Sequence, residues 1–177
     1  FFTALSVVNV RYANRLIDLK RDWLAETLDV DDPEELRDYH RLTTAFSELQ
    51  SWIGLPVLLA VIYAGGLQWS VDVLAATGLS TVSQGILFFI GLVVATQLFS
   101  APFSVVSTFG IEEIFGFNQQ TPRLFARDTL VTLVISLVFT ALLGGAILVF
   151  VESLPTLWPV AAWLLFVTFS LVMQILY

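Results

Sequence analysis

Hydrolytic or metal chemistry needs carboxylates, imidazoles, thiolates or an activated hydroxyl, and this sequence carries few of them. There is one histidine, His40, and no cysteine. A two-histidine metal site, a Cys-ligated zinc or iron–sulfur centre, a disulfide and a thiol nucleophile therefore cannot be built from this chain alone. The H-E-x-x-H pattern of zinc hydrolases does not occur. His40 stands beside Arg41, with Asp38 and Glu48 near in sequence, and reads as an exposed helix histidine. Ser100, Ser104 and Ser107 have no histidine at their depth in the chain, and small hydroxyl residues in apolar helices commonly serve packing. The carboxylates remain. Asp29, Asp31, Asp32, Glu34 and Glu35 crowd one turn and read as a solvated surface. Glu112, Glu113 and Asp128 flank a second irregular stretch that also holds Gly116, Phe117, Asn118, Thr121 and Phe125. Asp128 sits where an apolar run begins, a costly place for a carboxylate unless it is paired or faces a wet cavity; the spacing favours a pair with a nearby arginine.

The elements that must position these groups are apolar helices. Of the 177 residues 57% are hydrophobic and 13% charged, and the mean hydropathy is +0.84, which excludes an ordinary soluble domain. Eight Lys and Arg against fifteen Asp and Glu leave a net charge of −7, the wrong sign for a nucleic-acid partner. Crossing roughly 30 Å of hydrocarbon takes about 20 apolar residues. Ile86 to Val106, Leu130 to Val151 and Leu157 to Tyr177 meet that length. Ile53 to Trp69 is shorter but uncharged, with Trp52, Tyr63 and Trp69 near its ends, where amphipathic rings favour the interface. Phe1 to Val10 has the character of the cut end of a further span; a basic n-region and a small-residue cleavage site, the marks of a signal peptide, are missing. The expected fold class is therefore all-α, a polytopic helical membrane protein of about five transmembrane helices, the first and last open to truncation, with a cytosolic helical hairpin.

Orientation follows from the basic residues. Arg11, Arg15, Lys20, Arg21, Arg37 and Arg41 follow the first span, Arg123 and Arg127 follow the third, and the other connections have none. Lys and Arg mark cytosolic loops, so both basic segments are expected in the cytosol and the N-terminus outside or in a lumen. The missing Cys and scarce Lys lean toward a prokaryotic plasma membrane, with the endoplasmic reticulum the setting in a eukaryote. Locally, Asp32-Pro33-Glu34-Glu35 has the form of a helix start. Leu36, Tyr39, Thr43, Phe46, Gln50 and Ile53 then repeat at three and four residues, giving one mostly apolar face. Thr121-Pro122 predicts a second helix start, with Thr as N-cap. Pro102 could kink the third span, and Gly65-Gly66, Gly91 and Gly144-Gly145 permit close helix approach.

From Pro102 to Asp128 the chain reads P-F-S-x-x-x-T-F-x-I-E-E-x-x-G-F-N-x-Q-T-x-x-x-F-x-x-D. That run resembles the third-loop signature of the integral-membrane CAAX prenyl proteases, the type I zinc metalloproteases. Arg11-Tyr12 after a first span and Phe46-Ser47 leading into a second extend the likeness more loosely. The resemblance implies that residues 1–177 are the N-terminal membrane domain of such a protease. Its helices would enclose an intramembrane chamber, and zinc would be bound in the full-length protein by an H-E-x-x-H motif and a later Glu beyond this chain. No catalytic or metal-binding residue carries over to this chain, which alone should be inactive and bind no zinc. The positions that match the family loop are Glu112, Glu113, Gly116, Phe117, Asn118, Thr121, Phe125 and Asp128. They form either a bracket to the peptidase domain, with Asn118 satisfying turn backbone groups, or a substrate approach lined by Glu112 and Asn118. The implied partners are the bilayer, the protein's own C-terminal peptidase domain, and a prenylated or other peptide substrate. The rival reading is a stand-alone membrane scaffold or transport domain.

Overall fold

The computed structural model describes residues 2–19 and 33–176. The acidic group at Asp29, Asp31 and Asp32, with the expected Asp32 cap, lies outside them. Among the described residues every regular element is helical: α1 (Phe2–Leu19), α2 (Pro33–Tyr63), α3 (Gly66–Ala75), α4 (Thr81–Val106), a π turn (Ser107–Ile111), α5 (Glu112–Ile114), α6 (Pro122–Phe139), a second π turn (Thr140–Gly144), α7 (Gly145–Ser153) and α8 (Trp158–Leu176). Four continuous helical stretches are long and apolar enough to cross a membrane: Glu34–Tyr63, Thr81–Ile114, Pro122–Ser153 and Trp158–Ile175. The expected first span, Phe1 to Val10, falls in α1, whose later half carries Arg11, Arg15 and Asp18, and α1 is not among the four.

The boundaries of the spans differ from expectation for local reasons. The second does not run from Ile53 to Trp69. It is the end of α2, a single 31-residue helix that begins at Pro33 with Glu34 and Glu35 in its first turn. It stops at Tyr63 because Gly65 takes φ 76°, a conformation that disfavours other residues, and α3 restarts at Gly66. Ser80 opens α4, its Oγ accepting the Ser83 N–H at 3.3 Å. Pro102 stays inside α4, and the departure from α geometry comes later, at Ser107–Ile111. The stretch expected as a cytosolic loop from Thr108 is therefore helical to Ile114. Its 34 residues extend about 50 Å at 1.5 Å per residue, beyond the roughly 30 Å hydrocarbon thickness.

The chain forms two compact units, Phe1–Val61 with Ser100–Gln120, and Ile62–Phe99 with Thr121–Tyr177. In the first, the face of α2 that repeats at three and four residues packs on the end of α4 and the segment after it: Phe46 meets Phe103 with ring centroids 6.1 Å apart. In the second, α4 approaches the second π turn and α7 through glycines. A Cβ on Gly85 would lie 2.6 Å from Leu148 Cδ1, and one on Gly145 would lie 3.0 Å from Ile86 Cδ1. α7 turns back into α8 through Leu154–Leu157, and Phe139 meets Phe169 edge-on at 5.3 Å. Ile111, 6% exposed, is the one large apolar side chain buried among the described residues, while Leu98, Val134, Trp163 and Phe166 are each half exposed or more. Apolar surface on this scale is unfavourable in water and suited to lipid.

Candidate functional site

The motif residues Glu112 to Asn118 fold as one capped turn. α5 ends when Gly116 adopts φ 67°. The Phe117 N–H then reaches back to the Glu112 carbonyl at 2.8 Å and the Gly116 N–H to the Glu113 carbonyl at 3.1 Å. These two bonds make a Schellman motif, which requires a left-handed residue at this place and so explains the glycine. The Asn118 N–H adds a bond to the same Glu112 carbonyl at 3.1 Å. Both ends of the Asn118 amide are used inside the turn: Nδ2 donates to Glu113 Oε2 at 2.7 Å and Oδ1 accepts the Gln120 N–H at 2.8 Å. The first is charge-assisted, hence stronger than a neutral bond. Glu112 is half-buried and Glu113 exposed.

Aromatic rings clasp this turn to α2. Tyr39 stands edge-on to Phe117 at 4.8 Å and to Phe115 at 5.4 Å, and those two rings stack at 6.4 Å. Pairs of this geometry contribute roughly 0.5–1.5 kcal/mol beyond their area burial. Further along the same face of α2, Thr43, Phe46, Ser47 and Gln50 line a cleft of about 260 Å³ with Phe103, Ser104, Ser107 and Thr108. Thr43 Oγ1 is buried and has no hydrogen-bond partner among the described residues.

The remaining motif positions lie on α6, in the other unit. Thr121 is the N-cap, its Oγ1 accepting the Leu124 N–H at 3.3 Å with Pro122 following in the first turn. Phe125 is half-buried on that helix and Asp128 exposed. The ion pair expected of Asp128 is not formed: among the described residues no arginine lies within 4.0 Å of it, whereas Arg41 does pair with Asp38 at 3.8 Å, an exposed contact of little energetic weight. Arg123 and Arg127 are themselves exposed, so water competes with the pairing that spacing alone suggested. His40 is also corrected. It is half-buried, not exposed, and its Nε2 is buried without a hydrogen-bond partner among the described residues.

Sequence reasoning missed the Tyr39 clasp and the cleft. Their signal was present in the hydroxyls at Thr43 and Ser47, four apart, and at Ser104, Ser107 and Thr108, three and four apart. That spacing puts each set on one helix face. Ser104 does bond its own helix, at the Ser100 carbonyl 3.2 Å away, as packing hydroxyls do. It lines the cleft as well.

Fold and site together define a polytopic helical membrane protein with a glycine-capped, asparagine-tied turn after the long apolar stretch Thr81–Ile114. Residues 15–177 match the family model described as CAAX prenyl protease N-terminal, five membrane helices, and the chain belongs to that family. It is 30% identical over 164 residues to a probable CAAX prenyl protease 1 of Schizosaccharomyces pombe, covering 85% of this chain and 35% of that protein. A CAAX prenyl protease 1 homolog of Arabidopsis thaliana is 28% identical over 81% of this chain and 36% of its own length. One from Oryza sativa subsp. japonica is 33% identical over 51% of this chain and 21% of its own. The chain thus spans about a third of the length of these relatives, or less.

Proposed function

We propose that this chain is the membrane domain of a zinc-dependent endoprotease that cleaves prenylated or membrane-associated proteins, with its basic segments in the cytosol. The match of residues 15–177 to the family carries the reading. The residues described here do not fit a zinc ion, since no three His, Cys, Asp or Glu side chains among them group as ligands. In this reading the metal, and the activated water it supplies, belong to a peptidase domain of the full-length protein. What this chain contributes is support. Gly116 and the Asn118–Glu113 bond hold the turn that leads from one unit into the next, and the Tyr39 rings fasten that turn to α2. Because both polar ends of Asn118 are occupied within the turn, the geometry favours a bracket over direct contact of Asn118 with substrate. Metal analysis of the purified full-length protein tests the reading against a membrane scaffold or transport domain. About one zinc per chain is expected; a metal-free protein that stays so when supplied with zinc contradicts it.

A further inference from the structure

We infer that the cleft between α2 and the end of α4 binds a short, uncharged stretch of peptide main chain. The inference rests on the protease reading for the identity of the peptide, and on the cleft itself for its chemistry. Thr43, Ser47, Gln50, Ser104, Ser107 and Thr108 line it with Phe46 and Phe103, and of these hydroxyls that of Ser104 is bonded to its own helix. Hydroxyls and amides both donate and accept, and a peptide group brings one donor and one acceptor per residue. No charged side chain lines the cleft. A terminal carboxylate or a phosphate buried there would lack a counter-charge and is disfavoured. A prenyl chain would offer no partner to the Gln50 amide or to the hydroxyls that are not bonded within their own helix. At about 260 Å³ the cleft is smaller than the roughly 300–1,000 Å³ of drug-sized sites, which suits a short segment.

Two further observations point to a ligand. Thr43 Oγ1 is closed to solvent and has no hydrogen-bond partner among the described residues, a destabilising state that a peptide group relieves once the Thr43 side chain turns its hydroxyl toward the cleft. Two lining residues, Ser107 and Thr108, sit on a π turn, a local distortion found mostly at functional places. The cleft also lies one helical turn along α2 from Tyr39, where the motif turn is clasped, so peptide bound there would pass next to Glu112 to Asn118.

The test uses the full-length protein in liposomes with a prenylated, otherwise uncharged peptide as probe. A photo-reactive benzoylphenylalanine at position 47 should capture the peptide, and one at the lipid-exposed position 98 should not. Thr43→Val and Ser107→Ala should each raise KM about five-fold, as loss of one neutral hydrogen bond implies, with kcat and thermal midpoint unchanged and Thr43→Ser restoring KM. A peptide carrying Lys or Asp in the captured stretch should be captured less. Normal cleavage without capture, and with KM unmoved by both substitutions, overturns the inference and leaves a cleft holding water alone. Capture without cleavage supports the cleft while the protease reading fails; neither capture nor cleavage overturns both.

Discussion

Asn118 commits its whole side-chain amide to the turn, and the consequence is specific. Asn118→Ala leaves Glu113 and the Gln120 N–H without their partners, so it should lower stability by about 1–2 kcal/mol, read as a fall in the thermal midpoint of the full-length protein in detergent. The molecules that remain folded should keep their KM; a raised KM with unchanged stability would instead place Asn118 against substrate. Gly116 makes a complementary case, because its φ of 67° costs a residue with a Cβ about 1–2 kcal/mol. Gly116→Ala should destabilise, and Gly116→Asn should do so less, since Asn visits that region more readily. Equal midpoints for the two would remove the conformational explanation.

At the scale of elements, helix contact in the second unit depends on where a side chain is missing. A Cβ on Gly145 meets Ile86 at 3.0 Å, whereas nothing lies within 4 Å of one on Gly91. Gly145→Val should therefore overpack the α4–α7 contact at a cost of about 1–3 kcal/mol. Gly91→Ala should be neutral or stabilise by up to about 1 kcal/mol through helix propensity. Thermal midpoints of the two variants check the contrast, and a loss at Gly91 equal to that at Gly145 would contradict it. These elements were legible to different degrees. Long apolar runs and the Thr121-Pro122 start follow from local chemistry, and the structure has them. The repeat from Leu36 to Ile53 correctly marked a packed face, but classing it as mostly apolar hid Thr43, Gln50 and the neighbouring Ser47, whose meaning depends on Ser104, Ser107 and Thr108 far along the chain. Gly85 gave no sign of its closeness to Leu148 for the same reason. The end of α2 at Tyr63 was obscured because apolar residues continue past Gly65, and composition does not report a change in φ. The Asp128 pair failed because sequence proximity measures reach and says nothing of competition from water.

Across the whole molecule, exposed apolar helices suit lipid, and the alternating basic connections carry the proposed orientation. The sequence has no cysteine, so single introduced cysteines report orientation without background. Positions 41 and 119 should label from the cytosolic side, and positions 79 and 154 from the opposite side; labelling of all four from one side would contradict the proposed topology. In the proposed reading the capped turn and the clasp support a peptidase domain of the full-length protein, and the most direct test of that reading is cleavage itself. Purified full-length protein in liposomes should release the C-terminal tripeptide from a prenylated peptide, lose that activity to a zinc chelator and regain it with added zinc. A folded, zinc-supplied protein that leaves the peptide intact would contradict the protease reading and favour a membrane scaffold.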